Sequence, residues 1–278
     1  MRLGAPIFEK FNDPAQWAAI HKKLGYRAAY CPVHDVNNNE LVAAYAKAAK
    51  DSDLVIAEVG AWSNPIATNE ADRKKARTLN EERLAVADKI GARCCVNVSG
   101  SRGANWAGPD PKNFTDETFA MIVDTVRGII DAVKPTRTFY ALETMPCMYP
   151  DDVESYLHLL KAIDRKQFAA HFDPTNLICS PQRYHTNAAI IKDFAAKLGP
   201  HIRSCHAKDV VLLPEAIAHL NEIRPGLGGL DYRTFLREVD KLDTDTPVMV
   251  EHLPNADEYA KAVQYIRDIA REVGVAGA

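Results

Sequence analysis

The chain has 278 residues, of which 47% are apolar and 26% charged, enough for a large buried core. Thirty-four basic residues against 37 acidic ones leave a net charge of −3, so composition gives no reason to expect a nucleic-acid partner. No apolar run approaches the roughly 20 residues that span a bilayer, and the Met1–Pro6 start lacks a secretory apolar core. A soluble, cytoplasmic protein without a membrane partner is expected. The six cysteines form no C-x-x-C pair and several sit in apolar runs, which fits reduced, buried thiols.

In chain order, eight segments read as strands: residues 2–7, 26–32, 54–62, 93–100, 138–145, 167–174, 202–209 and 247–253. Most are near-continuous apolar runs, the pattern of strands covered on both faces. Helical patterns lie between them. Residues 12–24 open on Asn-Asp-Pro and stop at Gly25. Residues 40–50 and 71–90 repeat Ala, Leu and Val at three- and four-residue steps. Residues 116–133 follow a capping Thr115. Residues 151–163, 188–198, 231–242 and 256–273 complete the set. This alternation predicts a single (β/α)8 TIM barrel over residues 1–278, α/β in class and one domain. An open doubly wound sheet is the competitor, but no glycine fingerprint follows Ile7.

Four metal-ligand types end the last four strand candidates: Glu143, Asp173, His206 and Glu251. In a barrel, the C-terminal strand ends carry the active site. Alone, each residue has a plain structural reading, as a rim charge, a turn cap or a core histidine. Together, three carboxylates and an imidazole on successive strands suit a divalent cation such as Mn²⁺ or Mg²⁺.

Further polar and aromatic residues sit near the same ends. Trp62, Asn97 and Trp106 follow or end strands three and four, and an indole beside polar groups suits a sugar ring. Loop capping and barrel-top packing explain them equally. His171 lies two residues before Asp173 and points the same way one layer lower, as a partner of the ligands or a core histidine. Lys208 is placed to touch substrate or to pair with Asp209 or Glu251. Gly226–Gly229 reads as a tight turn into Asp231, with a phosphate cradle as the alternative. His252 is expected to point away from Glu251 and to be structural.

The Leu142-Glu143 strand end, His171-Phe-Asp173-Pro-Thr-Asn176, Cys205-His-Ala-Lys-Asp209, Pro225-Gly-Leu-Gly228-Gly-Leu-Asp231-Tyr232 and Val250-Glu251-His252 carry a resemblance. The chain resembles the xylose-isomerase-like barrel superfamily, in its branch of sugar phosphate isomerases and sugar epimerases. The resemblance implies one Mn²⁺, Mg²⁺ or Co²⁺ ion held by Glu143, Asp173, His206 and Glu251, with no organic cofactor. It also implies that Glu143 and Glu251 act as acid and base on opposite faces of an enediolate. The substrate would be a small sugar. Three positions depart from the ketose 3-epimerase pattern: Tyr149 replaces a glutamate, Asn176 a histidine and Leu212 an arginine. Tyr149, Asn176, Lys208 and His171 therefore join Trp62, Asn97 and Trp106 as candidate substrate contacts in an altered grip.

That alteration keeps a lyase on the same fold as the alternative, a dehydratase or a 3-oxo-glycoside-eliminating subunit that works with a second subunit. An apurinic-site endonuclease is a distant third, because no matching extra His and Asp ligands stand in the first half. A homo-oligomer stays open.

Overall fold

The computed structural model describes all 278 residues. Its first five strands are β1 (Arg2–Gly4), β2 (Ala28–Tyr30), β3 (Val55–Gly60), β4 (Cys94–Asn97) and β5 (Tyr140–Glu143). The others are β6 (Phe168–Phe172), β7 (Ile202–Ala207), β8 (Asp209–Leu212), β9 (Leu220–Ile223) and β10 (Pro247–Val250). The helices are α1 (Pro14–Leu24), α2 (Asn39–Asp51), α3 (Glu70–Ile90), α4 (Asp116–Val133), α5 (Val153–Ile163), α6 (Pro181–His185), α7 (Asn187–Leu198), α8 (Tyr232–Asp240) and α9 (Ala256–Val273).

Eight strands close into a parallel barrel in the order β1-β10-β7-β6-β5-β4-β3-β2. All eight predicted strands are in it, so the TIM-barrel expectation is met. The apolar runs are explained by burial on both sides: every residue of β4, β5, β6 and β10 is buried. Two features depart from the simple alternation. β8 and β9 form a separate antiparallel hairpin after β7, with Asp209 opposite Ile223 and Leu212 opposite Leu220. A short helix, α6, precedes α7.

The helix ends follow local chemistry. Asp13 accepts from the Gln16 N–H at 2.8 Å, Pro14 fills the first turn, and Gly25 ends α1 in the left-handed region. Asn255 caps α9 in the same way, accepting from the Glu258 N–H at 3.1 Å, and Gly274 closes it.

Two compact units can be traced. One comprises Met1–Tyr30, Lys47–Ala57 and Phe172–Ala278; the other comprises Cys31–Ala46 and Glu58–His171. The first holds β1, β2, β7, β10 and the hairpin, and the second holds β4 and β5. Two of the four borders, between Ala57 and Glu58 and between His171 and Phe172, fall within the spans of β3 and β6, and a third, between Ala46 and Lys47, within that of α2.

All six cysteines are free; four are buried, Cys147 is half-buried and Cys179 is exposed. No helix is long and apolar enough to cross a membrane.

Candidate metal centre

Each of the four candidate ligands sits at the end of a barrel strand. Glu143 is the last residue of β5 and lies opposite His171 of β6. The Tyr156 hydroxyl of α5 reaches the carbonyl oxygens of Leu142 and Ala169, which ties β5 and β6 together. Asp173 follows β6. Its Oδ1 accepts the backbone N–H groups of Thr175 at 2.9 Å and Asn176 at 3.3 Å, which fixes the carboxylate and leaves Oδ2 directed elsewhere. His206 is the penultimate residue of β7, in register with Met249 of β10, and Glu251 follows β10.

These four side chains come together: one ligand atom from each lies within 4.8 Å of all the others. Donors about 2.1 Å from one ion stand about 4.2 Å apart across it, so the spread is close to what a single cation requires. Glu143, Asp173 and His206 are buried and Glu251 is half-buried.

Lys208 enters the same cluster. Its Nζ lies 2.6 Å from Asp173 Oδ2 and 2.9 Å from Glu251 Oε1, while His206 Nδ1 is 2.9 Å from the same Glu251 oxygen. Burial works to raise the Glu251 carboxyl pKa, but His206, Lys208 and His252 outweigh it and hold the group well below the usual carboxylate range. Three carboxylates against one ammonium leave two formal negative charges in a buried space. Isolated charge of that kind is costly, and a divalent ion would neutralise it. The donor set therefore fits a divalent cation, which Glu143, Asp173, His206 and Glu251 could hold.

Other sequence-predicted residues have the following places. His171 is fully buried, its Nε2 3.1 Å from Glu58 Oε2, and these two with His206 form a second close group. Asn97 is fully buried, donating to Asn80 Oδ1 at 3.0 Å and accepting from the Ser63 N–H at 3.1 Å. Trp62 is 41% exposed and Trp106 45% exposed; Trp106 lines a groove with Ser63, Asn64 and residues of α3. Tyr149 packs edge-on against Phe114 and Phe119, and its hydroxyl donates to the Phe114 carbonyl at 3.2 Å. Asn176 is half-buried beside Asp173.

Two local expectations resolve differently. His252 does not point away from Glu251: its Nε2 is 3.6 Å from Glu251 Oε2, and its Nδ1 is 3.1 Å from Glu222 Oε1. Strand parity predicts the opposite, but β10 ends at Val250 and His252 adopts φ 56°, which breaks the alternation. The glycine segment is the tight turn the sequence predicts, not a phosphate cradle. The N–H groups of Gly226 and Gly228 donate to Asp209 Oδ2 at 2.9 and 3.1 Å, and the Gly229 N–H donates to the Val210 carbonyl at 2.8 Å. Those three donors already have acceptors within the chain.

Glu222 was not singled out in the sequence. It stands in β9 and lies 3.9 Å from Lys208 Nζ. The only signal was a pair of short apolar stretches flanking Pro214, at the limit of what marks a hairpin.

The family model for the xylose isomerase-like TIM barrel matches residues 18–269. The chain belongs to that family. No curated protein sequence matches it. Among solved structures it is similar to the 3-keto-D-glucoside 4-epimerase YcjR from E. coli, at 15% identity and TM-score 0.68, covering 96% of this chain and 99% of that one. It is also similar to the probable 3-DHS dehydratase AsbF from Bacillus anthracis, at 16% identity and TM-score 0.69, covering 96% and 98%. A third is a xylose isomerase-like TIM barrel protein from Mycobacterium smegmatis in complex with magnesium, at 14% identity and TM-score 0.67, covering 96% and 91%. At these identities the likeness establishes the fold.

Proposed function

We propose that the protein is a divalent-metal-dependent sugar or sugar phosphate isomerase or epimerase that moves a proton on a carbon beside a carbonyl. The observation that carries this reading is the convergence of Glu143, Asp173, His206 and Glu251 within 4.8 Å at the strand ends of a family barrel. A similar fold in a 3-keto-D-glucoside 4-epimerase supports it. The ion, with Mn²⁺ the first choice and Mg²⁺ or Co²⁺ next, supplies Lewis-acid polarisation of the carbonyl and a neighbouring hydroxyl when bound.

The chain's own groups then have separate tasks. Asp173 and His206 hold position, the first through its two backbone N–H bonds and the second through the β7–β10 register. Glu143 and Glu251 act as base and acid: one removes and keeps the carbon-bound proton, and the other, already protonated, delivers its own proton from the opposite face. Delivery to the same carbon from the other side inverts it. Delivery to the adjacent carbon interconverts aldose and ketose. Lys208 contributes a positive charge beside the developing enediolate oxygen. Trp62, Asn97, Trp106, Tyr149, Asn176 and His171 shape the rest of the substrate's surroundings. We assign the enzyme to the cytoplasm.

A second reading, a lyase, has specific support. Tyr149, Asn176 and Leu212 replace the residues with which ketose 3-epimerases grip a free ketose, and a similar fold occurs in a probable dehydratase. The same proton abstraction would there expel a group one carbon further on, with a second subunit as a partner. The deciding experiment incubates metal-supplemented protein with free, phosphorylated and 3-oxo sugars in D₂O and follows them by NMR. Deuterium at the carbon beside the carbonyl, with an epimeric or isomeric product, supports the first reading. Turnover confined to sugars with a leaving group two carbons from the carbonyl supports the lyase. Absence of exchange on every sugar, with metal bound, defeats both.

A further inference from the structure

The Lys208 ammonium stands among groups that a divalent ion would need. It is 2.6 Å from Asp173 Oδ2 and 2.9 Å from Glu251 Oε1, and the residue is only 2% exposed. Two cations drawn to the same two carboxylates repel each other, and in a buried space water screens that repulsion little. The lysine therefore needs another acceptor if the ion is to bind tightly.

The hairpin provides one. Glu222 Oε2 lies 3.9 Å from Lys208 Nζ, about 1 Å beyond an ordinary charged hydrogen bond. Closing that gap requires the ammonium to move by about 1 Å. Glu222 is itself held. Both its oxygens face His252 Nδ1, at 3.1 and 3.2 Å, and His252 reaches it from a left-handed backbone at φ 56°. A residue other than glycine in that conformation is strained and persists only where its surroundings demand it. The hairpin is anchored in turn by Asp209, whose carboxylate accepts four backbone N–H groups, three of them from the turn that follows β9.

We propose that Lys208 is a built-in cation that competes with the metal for Asp173 and Glu251, and that Glu222 is the positioning residue that accepts its ammonium when the ion is bound. The inference rests on the metal reading above and adds a role for two residues that are not ligands. The lysine keeps the carboxylates paired before metal arrives. Afterwards Glu222 retains the ammonium at the rim, beside the ion, where it can face a substrate oxygen.

The test is Mn²⁺ affinity, measured by calorimetry and by the free-ion EPR signal, for wild type, Glu222→Gln, Lys208→Met and the double variant. Glu222→Gln should weaken binding by roughly 10-fold or more, the range known for partners outside the ligand set. Lys208→Met should tighten it by a comparable factor. In the Lys208→Met background, Glu222→Gln should then matter by less than about threefold, because the group it positions is gone. An unchanged affinity in Glu222→Gln overturns the inference, as does an equal loss with and without Lys208. Should Lys208→Met fail to fold, a crystal structure of Mn²⁺-loaded wild type decides: an ammonium bonded to Glu222 supports the inference, and one still bonded to both Asp173 and Glu251 overturns it. A wild type that binds no divalent ion defeats the metal reading itself, a result distinct from these.

Discussion

Replacing Asp209 with asparagine should destabilise the protein by about 2 kcal/mol, although the two side chains have nearly the same shape. Oδ1 accepts the N–H groups of Val210 at 2.8 Å and Leu230 at 2.9 Å; Oδ2 accepts those of Gly226 at 2.9 Å and Gly228 at 3.1 Å. Asparagine must place its NH₂ at one of these two positions, where it faces two donors and can accept from neither. The less costly placement puts the NH₂ against Gly226, which is exposed, and Gly228, which is half-buried, so each unmet donor costs about 1 kcal/mol, the low end of the range for a buried group, and the two about 2 kcal/mol. The remaining pair also weakens, since it no longer meets an ionised acceptor. Little local relief is available, because a Cβ built at Gly228 would come within 2.3 Å of Asp209 Oδ1 and of the Val210 carbonyl oxygen. For a chain of this length, about 2 °C per kcal/mol gives a fall in Tm of about 4 °C. Thermal melts at one scan rate and equilibrium urea titrations of the metal-free protein would measure it. An Asp209→Asn protein that melts within 2 °C of wild type would refute the reasoning.

Glu143→Gln and Glu251→Gln should each lower turnover by on the order of 10² while some metal stays bound, since each loses a carboxylate base but keeps a ligand oxygen. In D₂O, the variant that retains the proton-abstracting glutamate should still exchange the substrate proton, and the other should not; substantial activity in both would move the base elsewhere. Asn176→Ala should raise KM on the best substrate found and leave metal content unchanged, and wild-type kinetics would remove Asn176 from the substrate contacts. Burial of His21 lowers its pKa below the ordinary 6.5, against the opposing bond from its Nδ1 to the Trp17 carbonyl at 2.8 Å. The unfolded chain then binds the proton more readily than the folded one, so stability contributed above pH 6.5 is lost as pH falls toward the folded pKa. Unfolding free energy should drop across that window, and a His21→Asn protein should show a shallower drop; equal slopes would contradict the assignment.

The barrel was legible because burial on both faces leaves a plain mark. Runs such as Val55–Gly60 and Phe168–Phe172 are apolar except for Glu58 and His171, so eight strands and the eight main helices can be read in order. The four-ligand cluster followed from the same rhythm, since position at a strand end decides what a side chain faces. What was missed is irregular backbone. β8 and β9 have only four residues each and tip into a turn with Ile217 75% exposed, so neither shows a core-facing pattern. Glu222 reaches the site only through that hairpin. Alternation places His252 on the wrong side because it holds only for extended residues, and the left-handed φ turns the imidazole back toward Glu251. Lys208 could be placed near the site by spacing, but the preference for Asp173 and Glu251 over Asp209 depends on Asp209 being occupied by four backbone donors.

The central claim is that Glu143, Asp173, His206 and Glu251 hold one divalent ion. Anomalous diffraction at the manganese edge from crystals grown with Mn²⁺ tests it most directly, with elemental analysis of the same protein in solution. The account predicts one ion per chain, with oxygen or nitrogen atoms of all four side chains at roughly 2.0–2.6 Å. A protein that stays metal-free in saturating Mn²⁺, or an ion bound away from these four residues, would contradict it.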